Sequence, residues 1–74
     1  MNNTAVARIA KDFGWVKNPK NDKSPVIFYT KGDMVMVHQK VTETVVFHKK
    51  GYKSIIDVPC TIELLRDPFQ MVKV

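Results

Sequence analysis

The chain has 74 residues, one cysteine, and 12 Lys+Arg against 7 Asp+Glu, a formal net charge of +5. That length predicts one domain with a marginal core, since a chain so short buries only about 60% of its unfolded surface. A lone Cys60 excludes an internal disulfide and any zinc site with two thiolate ligands, and it points to a reducing compartment.

The opening Met1-Asn2-Asn3-Thr4 lacks the basic, apolar and small-residue order of a secretory signal. No apolar run approaches the roughly 20 residues of a membrane span. The expected location is cytoplasmic, with no membrane partner. The positive balance favours polyanionic partners, nucleic acid among them, but also serves plain solubility. Ten of the twelve cations are lysine, and Arg8 and Arg66 are the two arginines. Lysine is the poorer base reader and phosphate clamp.

In chain order, residues 4–13 predict a helix. Val6, Ile9, Ala10 and Phe13 recur at helical spacing on one face, and Asn3 or Thr4 can cap the start. Gly14 suits the left-handed position after the last turn, with Trp15 folding back onto it. Lys17 to Pro25 carries two prolines, two asparagines and three lysines and predicts a flexible basic loop. Val26–Thr30, Met34–His38, Thr44–His48 and Tyr52–Val58 are rich in β-branched and aromatic residues. Reversals at Lys31-Gly32-Asp33, Val41–Glu43 and Lys49-Lys50-Gly51 connect them into a meander. Pro59 opens a short helix over Thr61–Arg66, with Ile62 and Leu65 on one side, and Asp67-Pro68 stops it. Residues 69–74 are an apolar tail, a fifth strand or a last helical turn. The whole is an α+β fold: a four-stranded antiparallel meander flanked by an N-terminal and a short C-terminal helix.

Counting ordinary hairpins assigns the strand side chains to two faces. One face takes Val26, Phe28, Met34, Met36, His38, Val46 and His48. The other takes Tyr29, Val35, Val37, Val45, Phe47 and Ile55. Both are apolar, whereas a sheet with one wet face shows polar alternation there. Two short helices cover about one face. The other is then shielded by the tail, a second copy of the chain or a protein partner. Tyr29, Val35, Val37, Val45, Phe47 and Ile55 are the candidate partner-binding residues.

Chemistry is sparse. His38 and His48 share a face in this count but sit roughly 13 Å apart, too far for one metal or one acid–base pair. Cys60 near a helix start is read as a small half-buried residue, since no base is placed beside it. The carboxylates form no recognisable pair, and three isolated glycines form no phosphate loop. No cofactor, no metal and no catalytic residue is expected. Phe47-His48-Lys49-Lys50-Gly51-Tyr52-Lys53 interleaves aromatic and basic residues. With the loop lysines it supplies the candidate nucleic-acid residues: Lys17, Lys20, Lys23, Lys49, Lys50, Tyr52 and Lys53.

A helix, then strands, then a helix is similar to the double-stranded-RNA-binding fold. Phe13-Gly14-Trp15-Val16 also resembles the start of HicA-type mRNA interferases, whose first helix ends in Gly-Trp before the sheet. That resemblance covers about fifteen residues. The family carries its catalytic histidine in a Gly-Ser-His stretch soon after. This chain has Lys23-Ser24-Pro25 there and no histidine before His38, so the activity does not carry over.

The expected function is therefore non-enzymatic: an interaction protein binding a partner or itself through an apolar, lysine-rimmed sheet face. Short motif-less chains of this kind suggest a phage or mobile-element type regulator or inhibitor. The alternatives are a nucleic-acid-binding module using loop and turn lysines and, as a minor one, a small HicA-like RNase toxin.

Overall fold

In the computed structural model, which describes residues 2–18 and 25–69, Asn2 starts the first helix. Its side chain accepts a hydrogen bond from the Ala5 amide at 2.8 Å, so the cap falls earlier than the expected Asn3 or Thr4. Helix α1 spans Asn3–Asp12. Val6 and Ala10 are fully buried, and Ile9 and Phe13 pack beside them, as the spacing predicts. The helix ends in a Schellman closure. The Trp15 amide donates to the Ala10 carbonyl at 2.9 Å and the Gly14 amide to the Lys11 carbonyl at 3.0 Å. Gly14 takes φ +93°, which only glycine adopts without strain.

Five antiparallel strands form one sheet in the order β1-β2-β3-β4-β5: Val16–Lys17, Val26–Lys31, Met34–Gln39, Thr44–Lys49 and Ile55–Pro59. The sequence predicts four. The additional β1 is two residues long and pairs Val16 with Thr30 and Lys17 with Tyr29. A two-residue strand at the head of a Lys-, Asn- and Pro-rich segment shows no alternation, so periodicity misses it. Residues 19–24 of the predicted loop and the tail beyond Phe69 lie outside the described residues. Strand β5 starts at Ile55 rather than Tyr52. Thr61 caps helix α2, Ile62–Arg66, by accepting from the Leu64 amide at 3.2 Å. Leu65 is buried, but Ile62 is 46% exposed, so the two do not share a covered side.

Turn length decides the faces. Lys31 pairs with Met34 across a two-residue Gly32-Asp33 loop, with Gly32 at φ +60°. Positive φ at the first central position suits the II′ hairpin turn. Reading Lys31-Gly32-Asp33 as a three-residue turn shifts β3 by one residue, and such a slip flips every side chain of the strand. Gln39 then pairs with Thr44 across Lys40–Glu43. Strand β3 is therefore inverted relative to the sequence count. Met34, Met36 and His38 join Ile27 and Tyr29, while Val35 and Val37 join Val26 and Phe28.

Ile27, Tyr29, Met36, His38, Val45 and Phe47 make a fully or nearly fully buried face. Trp15, Val6, Ala10, Leu65 and Phe69 complete the core with them. Trp15 is its hub. The indole N–H donates to the Leu65 carbonyl at 2.7 Å, and its ring centroid lies 6.0 Å from that of Phe47. Lys31 joins three elements from outside. Its ammonium lies 5.9 Å from the centroid of the Trp15 ring and donates to the Arg66 carbonyl at 3.4 Å.

Candidate interaction face

The second face of the sheet is laid out by the strand register. Its central row is apolar: Phe28 pairs with Val37, and Val37 with Val46. The row on one side is Val26, Gln39, Thr44 and Pro59; on the other it is Val16, Thr30, Val35 and His48. The three central strands expose the hydrophobic middle and place hydroxyl, amide and imidazole groups at its margins. Phe28 is 38% exposed, Val16 66%, and Val35, Val37 and Val46 are half-buried. Both helices pack on the opposite face, so no helix among the described residues covers this one.

The margin on the β5 side is built by a bulge. Val45 pairs with Val58 and Phe47 with Ile55, so Ile56 and Asp57 together oppose Val46. Asp57 adopts φ +52°, and its carboxylate accepts from the Gln39 amide at 2.6 Å. The same Gln39 amide donates to the Thr44 hydroxyl at 3.2 Å. These bonds fix the polar edge beside Val46. The bulge also interrupts edge strand β5, which hinders another chain from adding to that edge.

The expected partner residues divide between the two faces. Val35 and Val37 are on the open one. Tyr29, Val45 and Phe47 are 1% exposed or less, and Ile55 packs against them, so these four are core and not a partner surface. The physical reason is the inverted β3, which exchanged Val35 and Val37 for Met34 and Met36. The count also misses Phe28, Val26 and Val46 as open-face residues. The readable signal is Gly32 in a two-residue turn.

The two histidines lie on opposite faces rather than one. His48 is exposed on the open face and shares a hydrogen bond with the Ser54 hydroxyl, Nδ1 to Oγ 2.8 Å. His38 is fully buried, and neither ring nitrogen has a hydrogen-bond partner. Desolvation lowers its pKa below the usual 6.5. Cys60 is also buried, and burial raises its thiol pKa, the reverse of an activated nucleophile. Among the described residues, no three His, Cys, Asp or Glu side chains gather as a metal site. No described helix is long and apolar enough to cross a membrane.

The described lysines lie in different parts of the fold. Lys31 and Lys49 are on the helix-covered side. Lys49 sits 4.6 Å from the centroid of the Tyr52 ring, which itself stacks 5.3 Å from Phe69. Tyr52 is half-buried, with Lys49 and Phe69 against its ring. Lys50 and Lys53 are exposed in the β4–β5 connection, and Lys17 is exposed on β1. Lys20 and Lys23 lie outside the described residues.

No family model, curated protein or solved structure matches this chain.

Proposed function

We propose that this is a non-enzymatic interaction protein whose working surface is the open sheet face, and that the surface takes a second copy of the chain. The observation that supports it is the apolar row Phe28, Val37 and Val46 on a face that no described helix covers. Charge is complementary to this reading. Each copy carries +5, yet the centre of the face has no charged side chain, so two copies meet without like charges in contact. Area sets the strength. Six-residue strands of about 20 Å, stacked at about 4.8 Å, give a face of roughly 400 Å² in plan. Side-chain relief raises this toward the small end of specific interfaces, about 1,200 Å² in total. A reversible, concentration-dependent dimer follows, not an obligate one.

Val37→Asp tests the proposal. The side chain is half-buried at the centre of the face, so the variant keeps its fold and loses association by 100-fold or more. A folded variant that associates like the parent refutes it. A variant that unfolds shows that Val37 belongs to the core.

A second reading, nucleic-acid binding, is favoured by the net charge and by exposed Lys50 and Lys53 in one turn. The lysines there would contact phosphates and carry no sequence preference.

A further inference from the structure

An antiparallel meander brings every second turn to the same end, so the Gly32-Asp33 turn and the β4–β5 connection lie together at one end of the sheet. The last row of paired residues there is Lys31, Met34 and Lys49. Two strand spacings separate the two lysines, about 10 Å. Lys50 and Lys53 are exposed in the β4–β5 connection and extend the cationic row beyond β4. Against these four lysines, the two turns hold one carboxylate, Asp33. The β3–β4 turn at the other end has the opposite balance, with Lys40 beside Glu43 and with Asp57 bonded to Gln39. The helices add no excess: Lys11 is followed by Asp12 on α1, and Arg66 is flanked by Glu63 and Asp67.

Two of the ammonium groups are already positioned. Lys31 Nζ donates to the Arg66 carbonyl and lies over the Trp15 ring, and Lys49 Nζ lies over the Tyr52 ring. A cation over a ring keeps its charge, and an ammonium has three donors to share. Ordering these long side chains in advance lowers the entropy cost of binding through them. Spacing selects the ligand. Each strand of a nucleic-acid duplex presents a phosphate about every 3.4 Å along the axis, so about three face the 10 Å span. An extended acidic peptide turns alternate side chains away and offers a carboxylate to one side only about every 6.6 Å. The denser anion is the better match. Lys31 and Lys49 are on the helix-covered side, so a ligand here leaves the apolar row of the open face free. Resting on the nucleic-acid reading above, we propose that Lys31, Lys49, Lys50 and Lys53 form one surface that binds the phosphate backbone of a nucleic-acid duplex at this end of the sheet.

The experiment titrates the full chain into a short fluorescein-labelled DNA duplex, and into the same duplex as RNA, and follows anisotropy over a series of salt concentrations. Saturable binding of either supports the proposal, and the tighter of the two names the source of the backbone. Four phosphate contacts predict a slope of log affinity against log salt of about −3.6, at about −0.9 for each contact. Lys31→Gln with Lys49→Gln should reduce it to about −1.8 and weaken binding at low salt by at least about tenfold. Arg8→Gln with Lys40→Gln removes as much charge away from this end and should leave the slope unchanged. Circular dichroism verifies both folds. If the first pair does not fold, Lys49→Gln alone should lower the slope by about 0.9, and an unaltered slope overturns the proposal. No binding of either duplex overturns it together with the nucleic-acid reading. Binding that needs Lys50 and Lys53 but is unaffected by the Lys31 and Lys49 changes overturns the proposal alone. Equal loss in the Arg8 and Lys40 pair overturns it in favour of net charge. Polyglutamate that competes as well as unlabelled duplex, charge for charge, overturns it in favour of an acidic protein segment.

Discussion

His38 offers the sharpest test of the core. It is fully buried between Ile27 and Val45 in the strand register, and neither of its nitrogens finds a partner. A neutral imidazole has one donor and one acceptor. Leaving each desolvated costs about 1–3 kcal/mol. Methionine is of similar size, has neither group and adapts to irregular space. His38→Met should therefore stabilise the fold by about 1–2 kcal/mol at pH 7.5, after a modest repacking cost.

The pH dependence has a definite sign. Burial lowers the folded pKa of His38 below 6.5. Below pH 6.5 the unfolded chain takes up a proton that the folded chain refuses, so it binds more protons. Stability is full above pH 6.5 and falls as the pH drops toward the folded pKa, by about 1.4 kcal/mol for each unit between the two. Urea denaturation of parent and variant at pH 7.5 and 5.0 measures this. The gap between them should widen at pH 5.0. A gap that is constant with pH, or a variant less stable than the parent at both, refutes the account of a neutral, unpartnered His38.

Phe47→Asp should unfold the chain, because Phe47 is fully buried against Trp15; a cooperative near-native melt would contradict its place in the core. Gly14→Ala should cost about 1–2 kcal/mol, because Gly14 holds φ +93° while an added Cβ meets Lys31 at an ordinary 3.8 Å. Thermal melts check this, and a cost near zero would mean that the helix ends differently. If Lys50 and Lys53 hold phosphates, replacing both with alanine should flatten the salt dependence of binding to a generic RNA and DNA mixture by up to about two slope units. An unaltered slope removes them from any such interface.

Most of the fold is legible in the residues because it is written in local signals. The spacing of Val6, Ile9, Ala10 and Phe13, then Gly14-Trp15, specifies α1 and its closure. The β-branched runs specify four of the five strands. What local signals do not carry is register. Reading Lys31-Gly32-Asp33 one residue too long inverted β3 and divided the expected partner residues between the core and the open face. Strand β1 was hidden because two residues have no period. The bulge at Ile56 and Asp57 depends on Asp57 adopting φ +52°, which its residue type does not announce. The apolarity of both faces survives the inversion, because Met34 and Met36 replace Val35 and Val37 beside Tyr29 and Phe47, while Val35 and Val37 join Phe28 and Val46. Charge pattern was the poorer guide: Lys31 and Lys49 look like solvated turn residues, yet they lie over Trp15 and Tyr52.

The central claim is that the open sheet face pairs two copies, and the solution mass tests it most directly. Light scattering over a wide range of concentration, at low and high salt, with and without a generic RNA and DNA mixture, should show the mass rising from monomer to dimer. The rise should be indifferent to nucleic acid and little affected by salt, since the contact is apolar. A strict monomer at every concentration, shifting only when nucleic acid is added at low salt, would contradict the claim and transfer the function to the lysines.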